Sequence, residues 1–193
     1  MTKTQFNFLD SSSVVNRDEF RIFLQRSEVK LNIGSGDDMR EGWINIDAVG
    51  YPDVVVDVTN LSMFPDECAD VIENNHVIEH ISYKETLKVL QEWIRILKVG
   101  GEFVLRCPDV GKMCLRYAQQ QWQIGPDGTE RNIINVLYGN FEDPHYGVHR
   151  AGFDKNLIRH YLQQFGLVEL QVTDSDRGHD FELLARGFRG AIE

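Results

Sequence analysis

Residues 29–47 read VKLNIGSGDDMREGWINID. Two short apolar runs, Val29–Ile33 and Trp43–Asp47, flank the turn Gly34-Ser35-Gly36. The first run reads as a strand passing straight into Gly-x-Gly, where the backbone can turn sharply and approach a ligand closely. The second reads as a strand ending in an acid, a place where a carboxylate can accept bonds from both hydroxyls of a ribose. Each feature alone has a plainer reading, a strand-ending turn and a solvated acid. Together and in this order they point to a nucleotide-binding sheet. Only Asp37–Gly42 lie between the glycine turn and WINID. A parallel crossover normally takes a dozen or more residues, so the usual first helix is expected to be nearly absent. A helix over Arg17–Gln25 is expected to help cover the exposed face.

The pattern continues outward. DVVVDV (53–58) is a continuous β-branched run, as in a strand buried on both faces, and ADVIEN (69–74) is a fourth strand. Ser82 and Glu85 have the spacing of a capping box before a helix carrying Leu87, Leu90, Ile94 and Leu97, stopped by Gly100-Gly101. EFVLR (102–106) follows as a fifth strand. A short helix is expected around Ile133–Tyr138, a longer one over Asp154–Phe165, and two last strands at Leu167–Val172 and Phe181–Ala185. Alternation of this kind predicts an α/β fold: a doubly wound, mostly parallel Rossmann-like sheet with helices on both faces. One domain over 1–193 is expected, with 1–15 flexible and 109–150 forming a substrate-side insert.

Bulk properties narrow the function. The 193 residues are 42% hydrophobic and 26% charged, ordinary globular composition. The formal net charge of −10 opposes a nucleic-acid partner. Cys68, Cys107 and Cys114 are odd in number and form no C-x-x-C pair, which argues against a disulfide framework or a cysteine zinc site. Neither a signal peptide nor a membrane span is apparent, so a cytoplasmic protein acting on a small molecule is expected. Its oligomeric state is left open.

The stretches LNIGSG (31–36), INID (44–47), DVTNL (57–61), ADVIENNHVIEH (69–80) and LKVGGEFVLRCP (97–108) together resemble the class I S-adenosylmethionine-dependent methyltransferases. HRAGFDKNLIRHYLQQFGL (149–167) is similar to that family more loosely. The likeness is greatest to the small type 11 group, and within it to short enzymes associated with surface polysaccharides. It implies S-adenosylmethionine as cofactor and methyl transfer to a small polar acceptor, a sugar or sugar conjugate. It places Gly34, Ser35 and Gly36 along the methionine and sugar, Asp47 at the ribose, Asp57 and Val58 at the adenine, and Asn75 and His76 near the methyl group. One departure is Asn32, where the family carries an acid.

If the acceptor is a hydroxyl, a base must take its proton. His149 is the first candidate, with His145 and His76 in reserve. Two rivals remain: a cofactor-binding module without turnover, and a zinc hydrolase built on the His76 and His80 of HVIEH. Asn75 and Ser82 leave little helix to align those two imidazoles, so no metal site is expected.

Overall fold

The computed structural model describes residues 22, 24–121, 123–124, 131–140, 146–177 and 181–191. The segment expected to be flexible, 1–15, lies outside them, as do His145 and most of the expected 17–25 helix. Of that helix, Leu24 packs against the core while Ile22 is exposed.

The strands are β1 (Lys30–Ile33), β2 (Ile44–Asp47), β3 (Val54–Val55), β4 (Ala69–Asn75), β5 (Leu97–Pro108), β6 (Gln123–Ile124), β7 (Arg131–Asn132), β8 (Leu167–Asp174) and β9 (Glu182–Arg189). The helices are α1 (Thr86–Ile96), α2 (Val110–Ala118), α3 (Ile133–Tyr138) and α4 (Lys155–Gln164), with a 3-10 turn at Ile78–His80. Seven strands form one sheet in the order β3-β2-β1-β4-β5-β9-β8. β1 to β5 pair in parallel, and β9 runs antiparallel to both β5 and β8. The chain leaves β1 toward β2 and returns to β4 on the other side. A doubly wound sheet opens a crevice at such a reversal, outside the carboxyl ends of the strands.

The link from β1 to β2 contains no helix, and buried amides replace it. Asn32 donates through Nδ2 to the Asp38 carbonyl (2.7 Å) and to Asn45 Oδ1 (3.1 Å). Asn45 also accepts from the Arg40 amide (2.9 Å) and donates to Asp53 Oδ2 (2.7 Å). The link's backbone is thus satisfied by side chains rather than by a helical ladder. This also accounts for the departure at Asn32: the position needs a donor, which an ionised acid lacks.

Three elements differ from expectation. The DVVVDV run contributes only Val54–Val55 to the sheet, because the chain turns at Asp57, whose Oδ1 accepts from the Thr59 amide and hydroxyl. The capping box does not form: Glu85 is the N-cap of α1 without a side-chain bond, and the Ser82 carbonyl takes the Glu85 and Thr86 amides. The helix ends at Ile96 rather than at Gly100-Gly101, which fall within β5. Its inner face is Val89, Leu90, Trp93, Ile94 and Ile96, and Leu87 is exposed.

α1 and α4 bury their apolar faces in one core with Leu31, Ile33, Ile44, Ile46, Ile72, Phe103 and Leu105. Met113 and Ile133 of the 109–150 region form a smaller cluster with Phe181, just before β9. Among the described residues, no helix is long and apolar enough to cross a membrane.

Candidate functional site

A cleft of about 580 Å³ opens at the carboxyl ends of β1, β2 and β4, a size suited to a small ligand or cofactor. The structure brings Gly34, Ser35, Gly36, Asp47, Asp57, Val58, Asn75 and His76 together around it. All eight residues named from the sequence as cofactor contacts therefore share one wall system.

The glycine turn is held from below and from the side. Gly34 and Ser35 donate their amides to the Ile46 carbonyl (2.8 and 3.0 Å), and Gly36 donates to Asp47 Oδ2 (2.8 Å). Gly34 (φ 69°) and Gly36 (φ 48°) both occupy the left-handed region, which glycine enters without steric cost. A Cβ on Gly34 would stand 2.2 Å from Val77 Cγ2. The loop is therefore packed on the segment that follows β4. Asp47 Oδ1 accepts from the Val49 amide (3.1 Å), so both its oxygens are already oriented by backbone. The Ser35 hydroxyl is buried without a hydrogen-bond partner among the described residues, yet its residue lines the cleft. A polar atom in that position suits a bound polar ligand better than an apolar one.

Trp93 ties the core to this wall. Its indole, fully buried in α1, donates to the Val58 carbonyl (2.9 Å).

At the end of β4 the chain turns sharply through His76, which has φ 54°, an uncommon conformation for a side-chain-bearing residue and one found at sites that must re-aim a group. Its Nδ1 lies 3.0 Å from Glu79 Oε1 and its Nε2 2.9 Å from Glu182 Oε2. Burial disfavours the imidazolium, but hydrogen bonds to Glu182 and Glu79 outweigh it and raise the pKa to about 9. His76 is therefore charged at neutral pH with both nitrogens donating. That removes it as a general base and makes it a fixed positive charge at the cleft.

The histidine brought into the cleft is His80. The 3-10 turn at Ile78–His80 places it beside His149, ring centroids 4.9 Å apart in an edge-on contact. His80 Nδ1 lies 3.2 Å from the Val148 carbonyl. A carbonyl only accepts, so Nδ1 is the donor in this bond. His149 does not line the cleft but sits behind His80. Its segment is pinned by His149 N to the Tyr138 carbonyl (3.0 Å) and by the Arg150 and Ala151 amides to the Glu79 carbonyl (2.7 and 3.1 Å). Burial lowers the His149 pKa below the usual imidazole value, against the pull of the Glu79 charge, so the ring is neutral at pH 7.

The pair weighed for zinc as a rival reading, His76 and His80, is thus split. His76 is held by two carboxylates, and His80 meets His149 instead. Sequence reading missed Glu182, Tyr146 and Arg150. Glu182 meets His76 across 106 positions of chain, with Ser175 Oγ donating to its other oxygen, and no local spacing announces such a contact. Tyr146 and Arg150 line the cleft from the stretch following the insert, as do Ser82 and Glu85 from the unformed capping box.

Residues 38–105 match the family described as "Methyltransferase domain". No curated protein sequence matches the chain significantly. Among solved structures, a methyltransferase from Methanosarcina mazei superposes with a TM-score of 0.59 at 14% identity, covering 90% of this chain and 98% of that one. One from Archaeoglobus fulgidus gives 0.58 at 14%, covering 89% and 90%. The 1,6-didemethyltoxoflavin-N1-methyltransferase of Burkholderia thailandensis, solved with its substrate and S-adenosylhomocysteine, gives 0.54 at 16%, covering 91% and 78%. These likenesses establish the fold, and the family match begins just after the glycine turn and runs from β2 into β5. The chain thus has the fold of S-adenosylmethionine-dependent methyltransferases of known structure, and its residues 38–105 are similar to a methyltransferase domain.

Proposed function

We propose that this enzyme methylates a hydroxyl on a small polar acceptor, such as a sugar or sugar conjugate, in the cytoplasm. The observation that carries this reading is the position of His80. It faces the same cleft as the glycine turn and strand-end acids, with Nδ1 committed to a carbonyl and Nε2 free to accept.

The cofactor supplies a methyl group on a sulfonium, poised for direct displacement. In this reading Gly34, Ser35 and Gly36 lie against its methionine and sugar, Asp47 accepts from the ribose hydroxyls, and Asp57 and Val58 border the adenine. Asn75 and His76 stand at the methyl end. Both N–H groups of the His76 imidazolium are given to Glu79 and Glu182, so it contributes a positive charge there and no further donor. The protein's main task is alignment.

The acceptor's proton leaves toward the His80–His149 pair. The sequence reading made His149 the base; in this reading His80, which lines the cleft, takes that role, and His149 positions it from behind. Tyr146, Ser82, Glu85 and Arg150 give that side of the cleft a polar lining suited to a hydroxylated molecule. The net charge of −10 weighs against nucleic acid, and three free thiols accord with a reducing compartment.

The test is incubation of the enzyme with isotopically labelled methyl donor and fractionated small-molecule extracts, followed by mass spectrometry. A labelled O-methyl product, lost or reduced by ~10²–10⁴-fold in His80→Ala, is the expected result. Label only on nitrogen or carbon, or full turnover in His80→Ala, would remove the hydroxyl reading. Cofactor binding with no labelled product in any extract would favour a binding module.

A further inference from the structure

Glu79, His80 and His149 converge: a carboxylate oxygen and one ring nitrogen from each histidine all lie within 4.8 Å of one another. Two histidines and one carboxylate form a donor set that holds divalent first-row metals with coordination positions left open. A second observation is independent of this convergence. Glu79 is almost wholly buried, and its Oε2 has no hydrogen-bond partner among the described residues, whereas Oε1 is taken by His76. A buried carboxylate oxygen without a partner is costly and is what a metal would satisfy.

We propose that Glu79, His80 and His149 bind one divalent transition-metal cation at the acceptor end of the cleft. The surrounding groups are those a metal site uses. The Val148 carbonyl holds the His80 ring through Nδ1, leaving Nε2 as the ligand atom, and His76 hydrogen-bonds Glu79 through the oxygen that the metal does not take. The two histidines arrive from separate segments, but the Arg150 and Ala151 amides bonded to the Glu79 carbonyl lock those segments together. The ligand frame is therefore built into the backbone. His80 opens the site to the cleft, so with the metal bound His80 would act as a ligand and not as the base, and a coordinated hydroxyl would be acidified by the cation beside the cofactor wall. This departs from the sequence expectation of no metal site, which weighed His76 with His80 and did not anticipate His149 beside His80.

Occupancy of the site does not depend on methyl transfer, and it is tested without it. Tag-free, chelator-treated full-length protein is titrated with Co²⁺ and followed by visible absorption, then with Zn²⁺ in competition. One Co²⁺ per chain with d–d bands, displaced by one Zn²⁺, is expected. His149→Gln and His80→Gln should each weaken Co²⁺ binding at least ~10-fold, while His160→Gln, altering an exposed histidine of α4, should leave it unchanged. Glu79→Gln, nearly the same shape, should also lose binding. Folding of each variant is checked by calorimetric binding of S-adenosylhomocysteine. Absence of d–d bands in the wild-type protein would overturn the proposal. So would wild-type spectra and affinity in folded His80→Gln and His149→Gln variants.

Discussion

Gly34 and Gly36 have the same backbone requirement but different surroundings, and the pair makes a controlled experiment. Both have φ in the left-handed region, so an alanine at either costs roughly 1–2 kcal/mol in backbone strain. The Cβ of Gly36→Ala meets nothing within 4 Å, whereas that of Gly34→Ala would lie 2.2 Å from Val77 Cγ2 and 3.2 Å from Cγ1. Val77 is itself largely buried and must shift to make room, so overpacking adds roughly 1–3 kcal/mol. Gly34→Ala should therefore lose about 2–5 kcal/mol and Gly36→Ala about 1–2 kcal/mol. At roughly 2–4 °C per kcal/mol for a chain of this size, calorimetric melting of the ligand-free proteins resolves the two. Gly34→Ala,Val77→Ala should recover part of the loss, since it removes the atoms that clash. Equal melting points for the two single variants, or no relief in the double variant, would refute the packing argument and leave only backbone strain.

Asp47→Ala removes the acceptor for the Gly36 amide and, in the proposed site, the partner of the ribose hydroxyls. Calorimetry should show cofactor affinity weakened by about 1–3 kcal/mol. Asn32→Asp keeps the shape but replaces a donor with a charge facing the Asp38 carbonyl and Asn45 Oδ1. Urea unfolding should show at least ~1–3 kcal/mol lost, and an unchanged midpoint would dismiss the account of the helix-free link. Glu73 bonds Arg40 and Arg106. Despite burial, these guanidinium groups hold its pKa below the ordinary value of 4.5. Its folded pKa is depressed, so its contribution is present above about pH 4.5 and is lost as pH falls through the folded value. The stability of Glu73→Gln should accordingly fall less steeply with acidification than that of the wild type, as read from urea midpoints across that range.

Features carried by neighbouring residues were legible in the sequence. Gly34, Gly36 and Asp47 sit where strand-then-turn logic puts them, because the β1–β2 pairing aligns Ile33 with Ile46 and brings Asp47 beside the turn. α3 occupies Ile133–Tyr138 and α4 begins one residue after its cap Asp154, as apolar spacing and cap chemistry require. Where the sequence misled, a local preference lost to a tertiary demand. DVVVDV has strand character throughout, but Asp57 leaves the sheet to shape the cleft. Ser82 and Glu85 have capping spacing, yet both line that same cleft. The His76–Glu182 and His80–His149 contacts had no local signature at all, because the first depends on sheet order and the second on the Arg150 and Ala151 amides meeting the Glu79 carbonyl. Asn32 was legible as a departure and not as a cause, since its amide partners lie across a turn whose path depends on them.

The strand order also constrains how the protein is made. β5 is the longest strand, flanked by β4 on one side and by β9 on the other, from Glu102 opposite Phe188 to Pro108 opposite Glu182. On the ribosome β4 and β5 emerge early, and the second edge of β5 waits for residues synthesised much later. During that interval a nascent chain presents a long edge of unpaired amides and carbonyls beside Phe103, Val104 and Leu105, a template for pairing with another chain. Messages truncated before β9 should therefore yield aggregating or chaperone-bound products rather than a smaller folded domain. Slow translation across the 109–150 region would lengthen the exposure.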